Sequence, residues 1–171
     1  MADTNVTLEE AVPVEDVEID MEAKAKEYDT QTRVAGNEYR MTTDVKNFSK
    51  RLVHVVETHF WHGRTLTNFP NLAVNTGAAM RQAGTLPEGV KWGITYADGD
   101  QASNRKFIVA VHGPTGKIYV ESGPIGPVDW NVIEVKLDRH SGNKADITDP
   151  IFGARIVAEI SGTYAVAKFY N

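Results

Sequence analysis

Val90, Trp92, Ile94 and Tyr96 alternate with Lys91, Gly93 and Thr95, and this two-residue period limits the fold more than any other feature of the chain. Successive side chains of a strand point to opposite faces, so the pattern predicts a strand with one apolar face and one wet face. FIVAVH (107–112) is a short unbroken apolar run, as in a central strand covered on both faces. KIYVE (117–121), WNVIEVKL (130–137), ARIVAEI (154–160) and TYAVAKFY (163–170) read as further strands, with Ile133, Val135 and Leu137 on one side of the second. Asp98-Gly99, Gly113–Gly116, GPIGP (123–127) and SGNKAD (141–146) read as turns and loops, and Ser161-Gly162 has the two-residue length a hairpin favours. Seven or eight strands separated by glycine-rich turns imply a mainly β domain, an antiparallel β-sandwich or barrel-like fold. No helix of the length a βαβ crossover needs is expected after residue 50.

The N-terminal segment has a different character. Residues 1–30 carry ten acids and two lysines, which leaves +3 on the rest of a chain whose formal net charge is −5. Residues 1–13 read as disordered. Val14, Val17, Met21, Ala25 and Tyr28 recur at steps of three and four, which predicts a helix over 14–30 that docks by one narrow stripe. Residues 1–40 are therefore expected to be an acidic leader and 41–171 the sandwich. The leader is either a solvated tail or a cover for a sheet edge.

The composition excludes several classes of chemistry. Without cysteine there is no disulfide, thiolate metal site or cysteine nucleophile. There is no P-loop and no glycine-rich dinucleotide turn after a strand. Lys50-Arg51 and Arg105-Lys106 are too thin a basic surface for nucleic acid. No stretch is long and apolar enough to span a membrane, and the acidic start is unlike a secretory or transit signal, so a cytoplasmic location is expected. Any oligomer would form through sheet edges.

THFWHG (58–63) concentrates the ring chemistry of the chain. In a regular strand His59 and Trp61 share one face while Phe60 and His62 share the other, so His59 and His62 cannot grip one metal unless the chain bends at Gly63. Glu57 with His59, joined by His112 or His140, is the alternative ligand set, but no metal and no cofactor is expected. Ser141 beside His140 reads as a turn serine, since no nucleophile elbow is present. Asp98, Asp100, Asp146 and Asp149 read as turn acids. Trp92 and Tyr96 face inward. Trp61 and Trp130, beside polar neighbours, are the candidates for stacking a ligand, with His62, Arg64 and Asp129 supplying convergent polar groups. The alternative is a small enzyme using His59 or His62 as general base, because imidazole titrates near neutral pH.

VVETHFWHG (55–63) resembles a hallmark of the plant 23 kDa jasmonate-induced protein family, in which a strand runs into a similar His-Trp-His-Gly turn. KWGITYADGD (91–100), FIVAVHGPTG (107–116), YVESGPIG (119–126) and DTQTR (29–33) extend the likeness over residues 15–135 at the level of pattern. The resemblance implies a stress- or defence-responsive plant protein and no particular catalytic activity. The rings themselves, Trp61 and Trp130 at strand ends, point to a binding protein whose ligand is a glycan or a small planar metabolite. At fold level the sandwich is also similar to membrane-interacting aegerolysin-like proteins, so a membrane-active defence protein is a third reading.

Overall fold

A computed structural model describes residues 6, 8–32, 36–98, 105–139, 141–150 and 153–171. The described residues form eleven strands and two helices: β1 (Val12–Pro13), α1 (Met21–Thr32), β2 (Glu38–Phe48), β3 (Val53–His62), β4 (Arg64–Thr65), β5 (Thr76–Thr85), β6 (Lys91–Asp98), β7 (Lys106–His112), β8 (Lys117–Gly123), α2 (Trp130–Arg139), β9 (Lys144–Thr148), β10 (Arg155–Ser161) and β11 (Tyr164–Tyr170). One sheet runs β1-β5-β2-β11-β10-β9, with β4 also on β5; the other runs β3-β6-β7-β8. Among the described residues neither sheet closes on itself, so the fold is a mainly β sandwich and not a barrel. The pairing is antiparallel except between β11 and β2, where Tyr164 lies against Thr42 and Tyr170 against Phe48 in parallel register. That pair joins the last strand to the first long one, a long-range contact that no local pattern announces.

The inward faces meet in one core built on Trp92, Tyr96, Phe107, Phe169, Met41, Met80 and Leu72, all fully buried. Phe107 stacks on Phe169 at 4.9 Å between centroids, and Trp92 lies between Phe60 (5.7 Å) and Phe69 (5.3 Å). β7 is covered on both faces, as its apolar run requires.

Residues 130–137 are helical, not extended. Ile133 and Leu137, four apart, are the buried residues of α2, while Val132 and Val135 face solvent. The sequence satisfies both periods, and the helix wins because its start is capped. The Asp129 Oδ1 accepts the backbone N–H groups of Asn131 (3.1 Å) and Val132 (3.3 Å), and Lys136 and Arg139 lie in the last turn. This helix changes the reading of β6. It lies on the outer face of β7 and β8 and reaches β6 through Trp130 against Gly93 and through Glu134 and Asp138 on Lys91; Lys91, Gly93 and Thr95, expected to be wet, are buried.

The leader packs on the outer face of the other sheet. α1 starts at Met21, seven residues later than the stripe suggests, with the Asp20 Oδ1 accepting the Ala23 N–H at 3.1 Å. Val14 and Val17 precede the helix. Met21, Ala25 and Tyr28 do form its buried side, against Tyr164 and Val166, and Tyr28 stacks on Tyr164 at 5.1 Å. Within the segment read as disordered, Val12 and Pro13 pair with Gly77 and Thr76 of β5. The β10–β11 turn is Gly162-Thr163, one residue beyond the expected pair, with Gly162 at φ 57°.

Candidate functional site

Strand β3 does not alternate regularly. Its register on β6 slips between Val55 and Glu57 and again between Phe60 and His62, so Val56 and Trp61 are bulged residues. His59 lies opposite Gly93, Phe60 opposite Trp92, and His62 opposite Lys91. The extra residue resets the parity of the strand. Phe60 enters the core, whereas His59 and His62 both belong to the outer side, which corrects the expectation that they point apart. Among the described residues no group of three potential metal ligands converges. Glu57 is engaged elsewhere, accepting a hydrogen bond from Trp130 Nε1 at 2.9 Å, and His140 lies outside the described residues.

Trp61, His59 and Trp130 form a nest at the start of α2. The His59 ring is stacked on Trp130 at 5.3 Å and meets Trp61 edge-on at 5.1 Å, while the two indoles meet edge-on at 5.9 Å. Gly93 makes the nest possible, since a Cβ there would sit 2.5 Å from the Trp130 ring. Half-buried between two indoles, His59 is a packing residue in this arrangement. Among the described residues no carboxylate is hydrogen-bonded or ion-paired to His59 or His62. Trp130 forms the backing of Trp61, and Asp129 holds the first turn of α2. Replacing Asp129 by Ala should destabilise the fold by about 1 kcal/mol, with Asp129→Ser recovering most of the loss; urea denaturation of the two variants checks this.

Three of the expected residues, Trp61, His62 and Arg64, come together on one open groove of about 450 Å³ at the end of β3. Its floor is backbone. Gly63 adopts φ 92°, and Gly84 and Gly89 press together so closely that a Cβ on Gly84 would lie 1.9 Å from the Gly89 carbonyl oxygen. The Trp61 Nε1 atom is buried with no hydrogen-bond partner. Arg64 is more than half exposed, and among the described residues it has only a long contact, 3.9 Å, to Glu38, whose carboxylate is held more closely by Arg40 at 3.1 Å. The guanidinium therefore keeps most of its donors for a ligand.

A smaller hollow of about 190 Å³ adjoins the groove, sharing His62 and Glu88 and adding Pro87, Lys91 and His112. Burial, with the Lys91 charge nearby, lowers the His112 pKa below its ordinary value, and its Nδ1 is 2.7 Å from Thr115 Oγ1. Lys91 ties this corner together. Its ammonium donates to Glu134 at 2.7 Å and Asp138 at 2.9 Å, one turn apart on α2, and lies 5.9 Å from the Trp61 ring. Desolvation alone would lower the Lys91 pKa, but these two hydrogen bonds outweigh it and hold it above the usual lysine value. Sequence reasoning missed Lys91, Glu88 and the glycine floor. A lysine at an alternating position reads as a solvent-facing residue until the covering helix is known.

No protein-family model matches this chain, and no curated protein matches it. Among solved structures, the crystal structure of the lipid binding protein Nakanori superposes with a TM-score of 0.67 at 15% sequence identity, covering 88% of this chain and 77% of that one. The two proteins share the sandwich fold.

Proposed function

We propose that this chain is a non-enzymatic binding protein, and that its ligand lies in the groove at the end of β3 against Trp61. The supporting observation is the convergence of the Trp61 indole, an exposed imidazole and an under-compensated guanidinium on one backbone floor. A flat apolar wall beside a few donors suits a glycan or a small planar metabolite. The resemblance of residues 55–63 to the jasmonate-induced family extends the proposal to a role in plant stress or defence, in the cytoplasm. A lipid headgroup is the second reading, favoured by the sandwich shared with a lipid-binding protein.

Thermal denaturation with a panel of soluble oligosaccharides and planar phenolic metabolites, and separately with phospholipid vesicles, tests and separates these readings. A ligand at 100 times its Kd adds about 2.7 kcal/mol, a rise in Tm of roughly 5–11 °C for a domain of this size. The rise should disappear in Trp61→Ala and shrink in Arg64→Ala. A rise that survives both substitutions removes the groove as the site. Turnover of a candidate substrate, lost in His62→Ala, would instead establish the enzyme alternative.

A further inference from the structure

Residues 14–20 cross the outer face of the larger sheet as a strap. Asp16 Oδ1 accepts from Lys168 Nζ at 3.2 Å and from the Tyr170 hydroxyl at 3.0 Å. Lys168 also donates to the Val17 carbonyl at 2.9 Å, and the Val14 N–H donates to the Asn75 carbonyl at 3.0 Å. Between strap and sheet lies a cavity of about 250 Å³ with Ile19, Met21, Val157 and Val166 in its walls. Outward positions of a strand are ordinarily polar. Val157 and Val166 break that rule: α1 covers Val166, while Val157 stays half-buried at the cavity.

The charges at the rim are matched. Arg155 holds Asp146 through two hydrogen bonds (2.9 and 2.7 Å), Lys168 holds Asp16, and Lys144 pairs with Glu159 at 3.6 Å. Among the described residues that line the cavity, both cations, Arg155 and Lys168, have a carboxylate partner, and Glu18 adds a further negative charge, so the lining favours no anion.

We infer that this cavity is a second binding site, for a small uncharged amphiphile whose apolar part lies on Ile19, Val157 and Val166 and whose hydroxyl group meets the polar rim. The cavity is smaller than the ~300 Å³ at which drug-sized sites begin, so the ligand is a short chain or a single ring. The site lies on the outer face of β10 and β11, shares no lining residue with the Trp61 groove and does not depend on it.

The test is methyl NMR of the full chain titrated with 1-hexanol, 1-octanol and hexanoate. Saturable shifts are expected at the Ile19, Val157 and Val166 methyls, with affinity rising about fourfold per added methylene until the cavity is full. Hexanoate should bind about tenfold more weakly than hexanol, because its carboxylate would lose hydration beside unbalanced acids. Val157→Phe, at a half-buried outward position, should abolish the shifts. Shifts that do not saturate, shifts centred on other methyls, equal binding of hexanoate, or binding intact in a folded Val157→Phe protein would each overturn the inference. Should that variant fail to fold, the wild-type methyl shifts decide the matter.

Discussion

Gly84→Ala should be among the most damaging single-atom additions to this protein, lowering stability by about 3 kcal/mol or more and Tm by roughly 6–12 °C. The new Cβ would lie 1.9 Å from the carbonyl oxygen and 2.6 Å from the carbonyl carbon of Gly89, and 3.2 Å from the Cα of Gly63. All three are backbone atoms, so no rotamer change relieves the overlap. The segment through Gly89 would have to lift from the end of β5. That segment leads directly into Val90, which is fully buried, so the displacement reaches the core as well as the groove floor. Gly126→Ala is the control, since nothing lies within 4 Å of a Cβ there, and it should stay within ~0.5 kcal/mol of the wild type. A Gly84→Ala protein that melts together with the control would show that the three glycines are not in contact.

Lys91→Met should cost about 2 kcal/mol in urea denaturation. Breaking a fully buried ion pair by removing one partner typically costs roughly 3–5 kcal/mol. Here the ammonium side chain is only 8% exposed, but Glu134 and Asp138 are 32% and 43% exposed, and water offsets part of the loss. The triple variant Lys91→Met/Glu134→Gln/Asp138→Asn should recover much of it by removing the two stranded charges. The pH dependence has a definite sign. The folded-state pKa of Lys91 is raised, so its contribution is complete below the ordinary lysine value of ~10.4 and is lost only as pH climbs through the higher folded value. The gap between wild type and Lys91→Met should therefore not narrow between neutral pH and pH ~9, and should close in stronger alkali. If the gap vanishes below that range, Lys91 is not the clamp that holds α2 on the sheet.

The extent to which the sequence disclosed this structure follows from what each signal measures. Strands β6, β7, β8, β10 and β11 are legible because alternation and short apolar runs are local and strong. α2 is not, because Ile133, Val135 and Leu137 satisfy a period of two while Ile133 and Leu137 also satisfy a helix. The cap at Asp129, outside the apolar pattern, decides between them. That one misreading propagates. Without α2 reaching β6, Lys91 reads as wet, Gly93 as a gap in a strand and Trp130 as a surface ring, whereas the structure makes them a clamp, a slot and the ring that fills it. The bulge at Trp61 is equally silent, because strand parity assumes one residue per register step. Trp61, His62 and Arg64 were nonetheless legible as neighbours, since they are nearly consecutive and any turn at Gly63 keeps them together.

The central claim is that Trp61 forms the wall of a ligand groove, and the indole N–H resonances of the three tryptophans measure this most directly. Trp92 is sealed in the core and Trp130 is hydrogen-bonded to Glu57, whereas Trp61 lines the groove. In ¹⁵N-labelled protein titrated with the oligosaccharides, the metabolites and the vesicles in turn, the Trp61 indole signal should move saturably with the ligand that raises Tm, while the Trp92 signal stays fixed. A ligand that binds at saturation and leaves the Trp61 signal in place would contradict the account.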